Sequence, residues 1–407
     1  MGHFPEEPLH LTADDGYGYF PAYPHMVLRN GRHEVVRKLG WGPRKSVWMA
    51  TDTTQPDRYV ALAFLTERES QLGIEKANCL MAKAHSFGCL SETFMVQNPN
   101  ETSTGAASEE ATAGRHECLV LPLRGESCEM IRRRSPTGTL PVTHVQHLIL
   151  QTHAELTRLH EPSLVYGAVS LENVLVNSGI LKDVVHDLLD KAGAPLYSTV
   201  DRWETVDGVR YPIIRSDPIP SHYEWNMDIY EFARCGIYLT NLGHLQSLDP
   251  KHGPATWEGA RIPRAIRPPE AILDLPCTTQ SDVWQLGCAG FHLLLGEPFV
   301  PDAMAVDDKT LLAWMIAMCG PIPKEMAARS SIAPSLLTAD GLPHSNSSPV
   351  GPFLESRVRE RGIIPEEDIP GVMWFLNACL ALDPNQRVDF DSMWDSDWMR
   401  AAANDWH

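Results

Sequence analysis

Residues 165–176 read VYGAVSLENVLV. The last three, Val174, Leu175 and Val176, are stiff and apolar and predict a short strand. A turn-like Tyr166-Gly167 pair and a bend through Ala168 to Asn173 precede it. A polar bend that runs into a strand is where a catalytic loop is sought. This one holds no Asp, Lys or His, and its only charge is Glu172. The flanks decide which fold keeps such a loop and omits its chemistry.

Upstream, HEVVRKLG, SVWMATD and RYVALAFLT read as three strands joined by short turns, an antiparallel meander. GIEKANCLMAKAHS reads as a helix, with Ile74, Ala77, Leu80 and Met81 as its apolar face. Residues 97–115 are polar and small and predict a flexible loop, and ECLVLPLRG predicts another strand that leads into a linker. From there the pattern turns helical. PVTHVQHLILQTHAELTRLHE places Val145, Leu148, Ile149, His153, Leu156 and Leu159 on one face. Residues 181–236 read as an irregular insert with one short helix, LKDVVHDLLDKAG. GIYLTNLG predicts a strand and a turn. QSDVWQLGCAGFHLLLGEPF, KTLLAWMIAMCG and DIPGVMWFLNACLALD predict helices before a Trp-rich tail.

Length and composition bound the function. The 407 residues suffice for one large domain or two lobes. A net charge of −18 opposes general binding of nucleic acid or anionic membrane. The nine cysteines are scattered, odd in number and free of a CxxC pair, which predicts buried thiols rather than disulfides or a metal site. That places the chain in a reducing, intracellular compartment, cytoplasmic or nuclear. The N-terminus lacks the apolar core of a secretory signal, and Glu6 stands where a myristoylation motif needs Ser or Thr. No run of 18 uncharged apolar residues predicts a membrane span.

The motifs then line up. LGWG at 39–42 with VW at 47–48, YVAL at 59–62, LEN at 171–173, PPE at 268–270, SDVWQLGC at 281–288 and DPNQR at 383–387 fall in one order and spacing. On them the chain resembles the eukaryotic protein kinases, most closely the fungal serine/arginine-protein kinase group, from about Tyr23 to Trp394. The resemblance implies an α+β, bilobal protein-kinase-like fold: an N-terminal antiparallel sheet lobe plus one helix, and a larger, mainly helical C-terminal lobe. On this division residues 1–30 are an N-terminal arm, 31–125 the first lobe, 126–394 the second lobe with the 181–236 insert, and 395–407 the tail.

Kinase catalysis is mostly positioning and neutralisation of phosphate charge, and the resemblance assigns its parts. The glycine-rich loop keeps Gly40, Gly42 and Val47, but Lys45 stands at the third glycine and Pro43 stiffens the tip. The phosphate-binding lysine of the family's third strand is Ala63, and its helix partner maps to Glu75, read here as a solvated helix residue. In the catalytic loop Tyr166 starts the motif, the proton-accepting Asp is Ala168, the lysine is Ser170, and only Asn173 remains, read mainly as a structural hydrogen-bonding residue. The magnesium-binding Asp is Asn241; His244 follows, read as buried or hydrogen-bonded rather than as a ligand, and no metal site is expected. Glu270 and Arg387 match the family's buried ion pair, and Asp282 the residue that accepts N–H groups from the catalytic loop.

Architecture is thus retained and phosphate chemistry removed at Ala63, Ala168, Ser170 and Asn241, which implies a pseudokinase. The leading expectation is an interaction or allosteric scaffold for a protein partner such as an active kinase. The alternative is a kinase-fold enzyme repurposed for other small-molecule chemistry in the interlobe cleft, acting on an apolar molecule. The candidate cleft residues are Gly40, Gly42, Lys45, Glu75, Tyr166, Asn173 and His244. No cofactor is expected, with room for weak, metal-independent nucleotide binding. The Arg132–Arg134 run reads as a solvated loop, and Trp394, Trp398 and Trp406 as apolar area for docking on a partner or on the chain's own second lobe.

Overall fold

The first long strand, His33–Gly42, breaks the alternation of a sheet with one wet face: Val35, Val36, Arg37 and Lys38 are all buried. Both faces of its sheet are covered, and register shifts at Val35/Arg37 and Lys38/Gly40 turn successive side chains to different partners. The structure, a computed structural model, describes residues 6–84, 90–98, 114–176, 181–206, 209–221, 223–252, 255, 257, 262–344 and 353–404. It divides into two compact units, 1–126 with 177–222, and 127–176 with 223–407. The core of the 97–115 stretch lies outside the described residues.

The first unit is built on six antiparallel strands: β1 Val27–Leu28, β2 His33–Gly42, β3 Lys45–Asp52, β4 Tyr59–Leu65, β5 Glu92–Gln97 and β6 Arg115–Pro122. Their order is β1-β2-β3-β4-β6-β5. Val35, Trp48, Val60, Leu62, Phe64, Cys118 and Val120 cover one face with Phe20, Ala22 and Met26. The stretch before residue 30, which has little periodicity, is therefore core-forming. Val36, Met49, Tyr59 and Leu123 meet Val185, Leu188, Leu189 and Ile219 on the other. This corrects the sequence reading of the insert. Its helix, Lys182–Ala192, and its residues up to 221 belong to the sheet unit, because their leucines and valine complete that apolar layer. The insert is also more regular than expected, with a hairpin of Val200–Val206 and Val209–Ile214.

Two buried cations tie these layers together. Lys38 Nζ meets Glu6 at 2.7 Å, also Glu7, and donates to the Ile214 carbonyl at 2.8 Å. Arg37 Nε donates to the Asp217 carbonyl at 2.7 Å, and its guanidinium pairs with the Asp217 carboxylate. Buried charge is tolerated only when paired and hydrogen-bonded. The arm and the insert supply those partners.

The second unit is mainly helical. Val142–His160 buries Val145, Leu148, Ile149, His153, Leu156 and Leu159, as their spacing predicts, and packs on Gln280–Leu295. Ile369–Cys379 also packs on Gln280–Leu295. Two short strand pairs, Leu164–Val165 with Gln246–Ser247 and Val174–Val176 with Ile237–Leu239, bracket the 166–173 and 240–245 loops. The tail docks on its own unit. Trp398 stacks on Phe375 with ring centres 5.4 Å apart, and its carbonyl accepts from Gln146 Nε2 at 2.7 Å. A Cβ on Gly371 would lie 2.0 Å from Trp398, so the glycine makes room for the ring. Trp394 Nε1 donates to His153 Nδ1 at 3.2 Å, and Trp406 lies outside the described residues. The Arg132–Arg134 run is not a solvated loop. Arg132 and Arg133 close the Cys128–Arg133 helix, and buried Arg132 forks onto Glu129 at 2.8 and 2.6 Å.

Burial pushes the imidazoles of His116 and His147 down to about 4. Their protonation is then easier in the unfolded chain, so the stability they support is present above pH 6.5 and lost as pH falls toward 4. Each shift corresponds to about 3 kcal/mol. Urea unfolding across this window is expected to show stability falling with acid, with a shallower slope in His116→Gln and His147→Gln chains. A profile unchanged by both substitutions would contradict the burial argument.

Candidate functional site

In the helical unit, the loop that begins at Tyr166 is held from outside by one helix. Asp282, fully buried near the start of Gln280–Leu295, accepts from the Tyr166 N–H at 2.8 Å and the Gly167 N–H at 2.7 Å. His160 Nε2 lies 2.9 Å from the same carboxylate. One helical turn on, Gln285 accepts from the Val169 N–H at 2.9 Å and donates to the Gly167 carbonyl at 3.1 Å. Gly167 has φ +74°, and a Cβ there would lie 3.2 Å from the His244 carbonyl. Backbone conformation and space both favour glycine here.

The side chains from Tyr166 to Ser170 inside this grip carry no charge. Ala168 is fully buried, and Ser170 is half-buried with its carbonyl accepting from Asn173 and Val174 N–H groups at 3.0 and 3.2 Å. Asn173 uses both ends of its amide. Its Nδ2 donates to the Ala168 carbonyl at 3.0 Å, and its Oδ1 accepts from Asn241 Nδ2 at 3.3 Å. Its backbone carbonyl takes the Thr240 N–H at 3.0 Å, and the Tyr166 hydroxyl donates to the Thr240 carbonyl. Asn241 sits in the left-handed region, φ 59° and ψ 55°, which Asn tolerates better than most residues. His244 is buried at the end of the Leu242–His244 turn.

In the sheet unit, Ala63 is fully buried on β4 between Val47 of β3 and Leu119 of β6. Nearby, Lys45 Nζ pairs with the Glu75 carboxylate. Glu75 is 1% exposed, which overturns its reading as a solvated residue. Its second oxygen, Oε2, has no hydrogen-bond partner among the described residues. This pair also turns the Ile74–Ala84 helix: Glu75, Asn78, Cys79 and Ala82 are buried, whereas Ala77 and Leu80 of the expected apolar face are exposed. The turn that carries Gly40 and Gly42 is tied down. Tyr19 Oη donates to the Gly42 carbonyl at 2.9 Å and meets Trp41 edge-on, and Thr66 N–H donates to the Arg44 carbonyl at 2.8 Å. Added Cβ atoms at Gly40 or Gly42 would meet open space, so packing does not demand glycine at either position.

No family model matches the chain. It is similar over most of its length to the serine/threonine-protein kinase SRPK of Physarum polycephalum, 24% identical over 387 residues, covering 91% of this chain and 86% of that protein. It is similar likewise to protein kinase dsk1 of Schizosaccharomyces pombe, 23% identical over 477 residues, covering 95% and 84%. Its structure matches the crystal structure of a kinase domain with a TM-score of 0.63 at 19% identity, covering 94% of this chain and 98% of that one. The chain has a eukaryotic protein-kinase-like fold and is related, at low identity, to SR and other kinases. The N-terminal antiparallel sheet with its helix, and the larger helical part, are those of that fold.

Within a kinase-like fold, the donors at Asn173 and Asn241 fit Mg2+ poorly. The ion favours hard, preferably anionic oxygens, and here one neutral amide oxygen already accepts from the other amide. Another group, His33, Asp52 and Glu92, brings three donor atoms within 4.8 Å of one another. Arg32 forks onto Asp52 at 3.1 Å and reaches Glu92 at 2.7 Å, so those carboxylates are neutralised by guanidinium. Glu270 and Arg387 form a buried bidentate pair at 2.7 and 2.6 Å. Sequence reasoning missed Gln285, Tyr19 and the Lys45–Glu75 pair. The one signal for Gln285 was its i+3 spacing from Asp282. Among the described residues, no helix is long and apolar enough to cross a membrane.

Truncating Asp282 to Ala strips two buried N–H groups of their acceptor. Each such loss costs about 1–3 kcal/mol. Urea unfolding is expected to report a loss of about 3 kcal/mol or more, with far-ultraviolet dichroism unchanged. A loss under about 1 kcal/mol would mean that water or relaxation replaces the carboxylate.

Proposed function

We propose that this chain is a catalytically silent member of its fold, a pseudokinase of the serine/arginine-protein kinase type, that works inside the cell as an interaction or allosteric regulatory protein. The observation that carries this reading is the amide pair of Asn173 and Asn241. It stands where the family pattern needs a metal-binding carboxylate, beside a buried methyl group at Ala168 in place of the proton acceptor. Ala63 and Ser170 remove the two phosphate-facing lysines as well. Phosphoryl transfer depends on those charges rather than on covalent chemistry by the protein. The tethering of the glycine-bearing turn by Tyr19 supports the same reading, since a cover held by the chain's own arm suits a scaffold.

A second, narrower reading concerns nucleotide. Lys45 is a cation near the position left neutral by Ala63, held by Glu75. It favours weak, metal-independent binding of a nucleotide's phosphates, with no transfer.

With Mg2+ or Mn2+ and labelled ATP, the chain is expected to transfer no phosphate to itself or to an Arg-Ser peptide. The triple variant Ala63→Lys, Ala168→Asp, Asn241→Asp is expected to stay silent too, because Ser170 still lacks the lysine. Transfer by the natural chain would overturn the pseudokinase reading. Transfer by the triple variant would show that Ser170 is no barrier. Millimolar ATP with EDTA is expected to raise the melting temperature by about 1 °C, and Lys45→Ala to remove that increment. No increment in the natural chain would end the nucleotide reading and leave the scaffold reading intact.

A further inference from the structure

The insert carries a two-stranded ribbon whose outer strand has no neighbour on its far side. Val200–Val206 pairs only with Val209–Ile214. Asp201, Arg202, Trp203 and Thr205 are exposed, whereas Pro212, Ile213 and Ile214 of the inner strand are buried. Pro212 stands opposite Trp203 and has no N–H to give. Theirs is therefore a non-hydrogen-bonded pair of the antiparallel ladder, which turns the Trp203 N–H and C=O outward. Among the described residues, no backbone–backbone hydrogen bond reaches this outward edge. Open edges are usually blunted by Lys, Pro or a bulge. VDRWETV holds neither Lys nor Pro, and the bulge, between Ile213 and Ile214, lies at one end and leaves the ladder regular from Arg202 to Val206.

The strand is also complementary to itself. Arg202 and Glu204 flank Trp203, share the face opposite to it, and pair with each other at 2.7 Å. Trp203 is 50% exposed, with the Arg210 guanidinium 4.4 Å from its ring centre. When this strand lies antiparallel to a copy of itself with a twofold axis at Trp203, Arg202 stands opposite Glu204 twice. Moving the axis by one residue sets Glu204 against Glu204 or Arg202 against Arg202, and like charges directly opposite are destabilising. Charge thus selects one register.

We propose that the Val200–Val206 edge pairs with the same strand of a second copy of this chain, in an antiparallel twofold dimer centred on Trp203. The two Trp203 residues exchange N–H···O=C bonds across the axis, and their indoles meet on one face. On the other face Arg202 and Glu204 of the two copies form a ring of alternating charge. An exposed Trp between complementary charges suits the centre of an interface. A single strand pair falls below the roughly 1,200 Å² of standard interfaces, so the dimer is weak and concentration-dependent. Any extended segment could satisfy the open backbone, but this order of side chains is matched by its own copy. The proposal goes beyond the pseudokinase reading and does not depend on it.

Sedimentation velocity of the full chain over a wide range of concentration is expected to show a reversible monomer–dimer equilibrium. Arg202→Glu and Glu204→Arg are each expected to weaken it by about tenfold or more, since each sets like charges opposite one another. An equimolar mixture of these two variants is expected to restore dimers, because every charge then meets its opposite across the strands. The doubly exchanged chain, Arg202→Glu with Glu204→Arg, is expected to dimerise as the natural one does. The two side chains are 52% and 40% exposed, so unchanged melting temperatures confirm that the variants are folded. A natural chain that stays monomeric, a dimer indifferent to both single substitutions, or a mixture no more associated than its parts overturns the proposal. Binding of an unrelated extended peptide to this edge by a chain that stays monomeric also overturns it, and assigns the edge to another partner.

Discussion

The grip of Asp282 and Gln285 on the 166–169 backbone sets the shape of the loop on which the helical unit is organised. Every bond in that grip goes to main chain, so it is blind to the side chains at 168 and 170. A loop held in this way keeps its outline whichever side chains stand at those two positions. The buried Glu270–Arg387 pair is likewise far in sequence from the loop and anchors the same helix's start, with Arg387 Nη1 also donating to the Gln280 carbonyl at 2.8 Å. Pairs of this kind are costly to break from one side, because the remaining charge is left buried. Architecture and chemistry can therefore part company without a loss of fold.

The sheet unit solves a different problem. Its two faces are both covered, one by the arm and one by the insert, and the strand between them carries two buried cations. Neither cover could be replaced by solvent without exposing apolar area and stranding Arg37 and Lys38. The arm does more than pack. Through Tyr19 and Gly18 it also fixes the glycine-bearing turn and the start of the Glu67–Leu72 helix, where the Glu67 N–H donates to the Gly18 carbonyl at 2.7 Å.

What was legible in the sequence follows from range. The β2–β4 meander and the apolar stripe of Val142–His160 are written in local periodicity, and the structure has them. Asp282, Glu270 and Arg387 were legible because short motifs fix them. The insert was misplaced because four apolar residues scattered over 185–219 carry no sign of which sheet face they will cover. The Ile74–Ala84 helix was oriented wrongly because periodicity weighs every apolar residue as core. A buried ion pair with a lysine 30 positions upstream outweighs Leu80, and no local pattern contains that lysine. Likewise the residues of the 166–173 loop, Ala168, Ser170 and Asn173 among them, were legible one by one. The engagement of Asn173 by Asn241, 68 positions away, was not.

The Ile74–Ala84 helix shows how far one buried ion pair reaches. Its inner face carries Glu75, a buried carboxylate that needs a cation, and Lys45 on β3 provides it. Holding Glu75 inward fixes the rotation of the helix about its axis. That rotation dictates that Lys76, Leu80 and Lys83 lie outward together, since residues at i, i+4 and i+7 share a face. The exposed apolar stripe is thus a geometric consequence of the ion pair.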